Sequence, residues 1–213
     1  MRCSALALVL LCLAGVHPVF AQEPPPRIPF VAVDVQGSLS NFPSTDQDLA
    51  SSRGMVVAEL PGLGVGAQVA LNIYPFKWKA VTFGFGGSLV TTHASQTPNP
   101  PVEGVRSSDE RFRSYVPQFS LNFGNGHGWS YISGGIGQST WALTPAGQEG
   151  FPPDSEPLKT INYGVGARWF MKNHLAFSFD VRFYVIDPST PYEGFPASPR
   201  LRQTVFSAGV SLK

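Results

Sequence analysis

His93 and Ser95, separated by one alanine, are the residues of this chain best placed by type and spacing to do chemistry. In an extended strand, residues two apart point the same way, so imidazole and hydroxyl share a face. A base beside a hydroxyl is the core of nucleophilic catalysis, and a third group must orient the base. Asp109 and Glu110, where the next strand begins, are the acids available for that role. Counting by twos from Phe83, Phe85 and Leu89 puts His93 and Ser95 on the apolar face of their strand, near its far end. Other candidates carry less. Asp46 and Asp48 offer oxygens to a hard cation such as calcium, but two carboxylates without further ligands make no site. Gly62, Gly64 and Gly66, and later Gly164 and Gly166, lack the spacing of a nucleotide-binding loop and do not open a helix. No metal and no cofactor are expected.

The elements that carry these residues repeat with period two, the strand signature. From Leu63 to Ile73 the odd positions are Leu, Val, Ala, Val, Leu and Ile, and the even ones are Gly, Gly, Gln, Ala and Asn. From Leu175 to Val185, Leu175, Phe177, Phe179, Val181, Phe183 and Val185 share one face, while Asp180 and Arg182 lie on the other. Similar alternation runs through Val31–Leu39, Val81–Leu89, Tyr115–Phe123, Ile161–Trp169 and Phe206–Leu212, and the glycine-rich stretch Trp129–Trp141 is also strand-like. That makes about eight strands, and no stretch has convincing helical periodicity. The connections alternate in length: about Asn41–Pro61, Thr92–Glu110, Thr144–Pro157 and Asp187–Arg200 are long and polar, whereas Pro75–Lys79, Gly124–Gly128 and Met171–Asn173 are short.

Composition bounds the setting. A basic start, an apolar run from Ala5 to Val16 and Val19-Phe20-Ala21 have the three-part layout of a signal peptide cleaved after Ala21. Residues 1–21 are therefore expected to be removed, leaving residues 22–213 as one domain. Both cysteines, Cys3 and Cys12, fall in the leader, so neither a disulfide framework nor a thiolate metal site is expected. Charged residues make up 14% of the chain, with no basic excess for nucleic acid. No later segment reads as a membrane-spanning helix, so a membrane location requires a closed barrel, the other fold that satisfies every backbone group in lipid.

These features together predict an all-β fold, an eight-stranded antiparallel up-and-down transmembrane β-barrel after a cleavable signal peptide, located in a bacterial outer membrane. Short periplasmic turns alternating with long extracellular loops are the habit of such barrels. Tyr74, Phe76 and Trp78 flank the first short turn, Phe123 and Trp129 the second, and Trp169 and Phe170 the third, which predicts an interfacial girdle at one rim. If the apolar face meets lipid, the lumen holds Asp34, Gln36, Gln68, Asn72, Gln118, Asn122, Arg168, Asp180 and Arg182. An eight-stranded barrel is wide enough only for side chains. Enclosed charges must then pair, and Asp34, Asp180, Arg168 and Arg182 are expected to do so from neighbouring strands. The rival is a soluble periplasmic lipocalin-like barrel with its apolar face inside.

Taken strand by strand, through pieces such as Tyr115-Val116-Pro117-Gln118-Phe119-Ser120-Leu121-Asn122-Phe123, the chain resembles the small outer-membrane β-barrel proteins of the OmpA membrane-domain type. Two departures stand beside that resemblance: Leu212-Lys213 stand where such barrels usually end in an aromatic residue, and no peptidoglycan-binding domain is expected. The resemblance implies outer-membrane lipid and the barrel-assembly machinery as partners, and an extracellular partner for the loops. His93-Ala94-Ser95 separately resembles the His-x-Ser step of outer-membrane lipid A deacylases. There it would make His93 the base and Ser95 the nucleophile, although Gln96 stands where that family has asparagine. The leading expectation is a non-catalytic barrel with a structural or surface-interaction role carried by its four long loops. A small-solute channel and a deacylase-like, lipid A-modifying hydrolase are the alternatives.

Overall fold

A computed structural model describes residues 25–98 and 101–213, so the expected signal peptide lies outside the described residues. Eight strands form a closed antiparallel barrel in chain order: β1 Val31–Asn41, β2 Leu63–Trp78, β3 Val81–Gln96, β4 Ser108–Asn125, β5 Gly128–Pro145, β6 Leu158–Phe170, β7 Leu175–Ile186 and β8 Leu201–Leu212. β8 closes on β1 with Val33 opposite Leu212 and Asn41 opposite Thr204, so no strand edge is left unpaired. Most strands outrun the alternating stretches that announce them. β4 and β5 each contain 18 residues, roughly 60 Å of chain at ~3.3 Å per residue. Even tilted, that exceeds an apolar band roughly 25 Å tall, so these two strands rise well past the membrane on the long-loop side.

The facing follows the pleat. Val35, Val69, Leu89, Phe119, Val165 and Phe179 stand exposed on the outer wall, while Asp34, Gln36, Gln68, Gln118, Arg168, Asp180 and Arg182 are buried inside. A water-soluble barrel needs the reverse, so the lipocalin-like alternative is overturned. An apolar wall all round a closed ladder makes this an outer-membrane barrel.

The girdle needs correction. Tyr74 is only 5% exposed and Trp129 is buried beside it, their rings 5.7 Å apart and edge to face. Both sit at inward positions of the pleat, and closeness to a turn does not override facing. Past Tyr74 the β2–β3 register slips, so that Tyr74 and Pro75 together oppose Gly84. This β-bulge reverses the parity of β2 and swings Phe76 and Trp78 outward. A side chain on Gly84 would meet the Tyr74 ring, which is why glycine stands opposite the bulge. Phe170 is also turned partly inward, stacked on Trp129 at 5.3 Å. Phe76, Trp78, Phe123 and Trp169 stay on the outer wall as the rim aromatics.

The long loops are more ordered than their composition predicts. The first carries a short helix, α1 (Gln47–Ser51), whose N-cap Asp46 accepts a hydrogen bond from the Leu49 amide at 3.0 Å. Asp46 thus caps a helix, a role available to any Asx residue at that position. The second loop is shorter than expected, because β3 continues to Gln96 and β4 begins at Ser108.

Candidate functional site

The interior is layered along the barrel axis. At the short-turn mouth, Ile28, Ala32, Tyr74, Trp129 and Tyr131 form an apolar cluster, with Phe170 packed against it. The chain before β1 crosses this mouth, held by the Gly126 amide donating to the Pro26 carbonyl at 2.6 Å. Lys213 adds an ammonium 3.9 Å from the Phe170 ring centre and donates to the Gly126 carbonyl.

Above it lies the polar layer. Arg168 on β6 grips Asp34 on β1 with both arms of its guanidinium, Nε donating to Oδ1 at 2.8 Å and Nη2 to Oδ2. β6 and β1 are not neighbours, so this pair bridges the lumen, where adjacent strands were expected to supply the partners. The same guanidinium lies 4.5 Å from the Tyr131 ring centre and 5.5 Å from that of Trp129. The Tyr131 hydroxyl donates to Asp180 Oδ2, which also accepts from Arg182 Nη2 at 3.1 Å. Gln68 Nε2 donates to Gln36 Oε1 at 2.9 Å, Gln36 Nε2 to Ser178 Oγ at 3.0 Å, and Gln118 Nε2 to Ser88 Oγ at 2.6 Å. A low-dielectric interior strengthens such contacts and penalises any member left alone. Chemically, this layer ties the walls of the barrel together across the lumen.

The third layer was not visible to the alternation rule. Toward the loops the interior becomes apolar again: Phe112, Trp141, Leu143, Tyr184 and Val205 point inward beneath Phe42, Leu49, Ala50, Met55 and Leu60 of the first loop. α1 therefore lies across the barrel mouth as a lid with its apolar side down. Arg53, just beyond α1, donates from Nη2 to Asp154 Oδ1 of the third loop at 2.7 Å. Its guanidinium lies 5.1 Å from both the Trp141 and Phe151 ring centres. Arg106 of the second loop reaches Glu59 of the first through Nε at 2.9 Å and its own amide at 2.7 Å. Those bonds hold the Glu59 carboxyl below the usual carboxylate range, whereas burial pushes the Asp154 carboxyl up against the pull of Arg53. Phe151 and Phe195, edge to face at 5.2 Å, join the third loop to the fourth. All four loops are thus fastened into one cap. The sequence signal that could have found it is the parity of Arg111, Arg113 and Arg202, whose outward charges turn Phe112 and Leu201 inward.

His93 and Ser95 occupy outward positions of β3, as the parity count predicts. His93 Nε2 lies 3.0 Å from Asp109 Oδ1, with side chains 51% and 55% exposed. Asp109 stands directly across the ladder from Ser95. Glu110 is corrected: it is one residue on and so faces inward, where its Oε1 accepts from Trp141 Nε1 at 2.6 Å. Its carboxyl is committed to the cap and cannot orient His93. Among the described residues Ser95 has no side-chain hydrogen bond to His93. Asp109 holds Nε2, so a proton leaving Ser95 would have to go to Nδ1.

The chain matches no known protein-family profile and no curated protein sequence. Solved barrels of similar shape include neisserial surface protein A, at 12% identity, 86% of this chain, 95% of that one and a TM-score of 0.49. The attachment invasion locus protein Ail of Yersinia pestis aligns at 13% identity over 85% and 95%, with a TM-score of 0.47. The outer membrane protein OprG of Pseudomonas aeruginosa aligns at 10% identity over 88% and 97%, with a TM-score of 0.43. The barrel assignment rests on the closed ladder and the polarity of its two faces.

Proposed function

We propose that this protein is a non-catalytic outer-membrane barrel, built on the OmpA membrane-domain plan, that holds an ordered four-loop platform at the cell surface. The observation that carries this reading is the cap: two carboxylate–arginine clasps, one wholly buried and one with its arginine partly exposed, and an aromatic contact lock the loops into one body. Recognition commonly resides on loops positioned by a rigid scaffold, and a pre-ordered loop loses less entropy on binding than a mobile one. The interior, filled from one mouth to the other by buried side chains, speaks against the channel reading. Outer-membrane lipid, the assembly machinery and an extracellular ligand are the partners this reading requires.

Two measurements test it. Reconstituted in a planar bilayer, the barrel should show no conductance steps above leak; steady ohmic steps would restore the channel alternative. Cells displaying the protein should gain adherence to an array of glycans and matrix proteins. A variant with residues 188–199 cut to a short glycine-serine turn should lose that gain, and equal adherence by cells lacking the protein would sink the platform role.

The hydrolase reading keeps one observation in its favour, the His93–Asp109 hydrogen bond beside Ser95. The expected result is that neither wild type nor Ser95→Ala releases fatty acid from a phosphorylated, acylated glycolipid in mixed micelles. Release by wild type that Ser95→Ala abolishes would instead establish catalysis at the outer rim.

A further inference from the structure

We infer that the outer wall of β2–β5, near the loop side, is a seat for a phosphorylated lipid of the outer leaflet, with Arg111 and Arg113 holding the phosphate. This goes beyond the loop platform and does not depend on it. Arg111 and Arg113 are two apart on β4, exposed on the outer face, and neither makes an ion pair among the described residues. Of the other exposed arginines near the loops, Arg200 pairs with Asp187 at 3.2 Å, whereas Arg202 on β8 makes no ion pair among the described residues but stands alone, away from the furrow. The nearest acid on the same face, Asp109, is bonded to His93. Asp154, which borders the recess above, is turned to Arg53. Two guanidiniums are therefore left without a carboxylate at the upper edge of an apolar wall.

The surroundings supply both halves of a lipid. Thr91 and Thr140 flank Arg113 on the adjoining strands, adding hydroxyl donors beside the guanidinium. Immediately below, a furrow of about 470 Å³ crosses β2–β5, floored by Val69, Leu89 and Tyr115 and bordered by Arg113. Every outward position of the barrel meets acyl chains, but here the apolar furrow runs up to a pair of unengaged cations. Guanidiniums bind phosphate oxygens in paired, charge-assisted hydrogen bonds. An unpaired guanidinium at the edge of the hydrocarbon is costly unless an anion meets it. Charge complementarity and the continuity of furrow and cations thus commit the site to a lipid whose phosphate is an uncompensated anion, as in phosphatidic acid, and not one neutralised by its own choline, as in phosphatidylcholine.

The test uses the folded barrel in dodecyl maltoside, with dipalmitoyl phosphatidic acid or dipalmitoyl phosphatidylcholine added and lipid retained after gel filtration quantified. Wild type should retain phosphatidic acid with an apparent affinity about tenfold above that of R111Q/R113Q, a factor reached by losing one charged contact at a partly screened site. Retention of phosphatidylcholine should be the same in both, and Lys172→Gln at the opposite mouth should behave as wild type. Equal retention of both lipids by wild type would overturn the proposal, as would unchanged phosphatidic acid binding by R111Q/R113Q. Inorganic phosphate should not displace the lipid at equal concentration; if it does, the site recognises free phosphate and the furrow has no part in it. Both arginines lie on the surface, so the mobility shift of folded protein on heating should be retained in the double variant, which separates lost binding from lost folding.

Discussion

Replacing Asp34 by alanine should lower the stability of the folded barrel by about 3–5 kcal/mol, the cost of leaving a buried cation without its partner. Arg168 has nowhere else to turn. It is walled in by Tyr131 and Trp129, and the other carboxylate of the layer, Asp180, already serves Arg182 and Tyr131. Urea titration in detergent micelles, read by the gel mobility of folded against unfolded protein, measures the loss as a shift of the midpoint. The double variant Asp34→Ala/Arg168→Met should recover most of it, because a buried pair is worth little against apolar groups of similar volume. Were Asp34→Ala to cost less than ~1 kcal/mol, water would be reaching the guanidinium, and the lumen would be wetter than its packing shows.

The architecture was legible because membrane barrels write their constraints at period two. Leu175 to Val185 displays both faces in one line of sequence, and loop lengths fix which rim is which. That Asp34 would be enclosed followed from facing. That it would meet Arg168 did not, since the contact spans 134 positions and depends on barrel diameter and tilt. Tyr74 shows the opposite case, because nearness to a turn does not fix which way a ring faces. One extra residue at Pro75 separates it from Phe76 and Trp78, and a bulge has no unambiguous signature in a single chain. The cap was the least visible part. Arg53, Glu59, Arg106 and Asp154 lie in segments whose composition reads as loop, and only three-dimensional closure brings them together. For His93, spacing found the shared face with Ser95 and two candidate acids; pleat parity, applied to β4, separates Asp109 from Glu110.

Trp141→Ala should be the most damaging single change in the cap, costing about 3–5 kcal/mol as a large buried aromatic removed from a packed core. The indole does three things at once. It fills the layer under α1 together with Phe112 and Leu143, it donates to Glu110, and it is one of the two rings against the Arg53 guanidinium. Its loss leaves a void under the lid, a buried carboxyl without its donor, and an arginine stacked on one side only. The damage should therefore spread to the loops. Trypsin, which cannot reach a buried Arg53 in the intact cap, should cut there readily in Trp141→Ala while the strands stay protected. Trp141→Phe retains a ring but not the N–H, so it should lose about 1–2 kcal/mol, the penalty of an unmade buried hydrogen bond, and keep Arg53 shielded. If Trp141→Ala left Arg53 as resistant as in wild type, the ion pairs alone would hold the loops, and the lid would not depend on the apolar layer beneath it. If both variants exposed Arg53 equally, the hydrogen bond to Glu110 would be the contact that matters. The expected order, a large effect for alanine and a small one for phenylalanine, makes packing the main restraint on a platform whose loops must stay ordered to recognise anything.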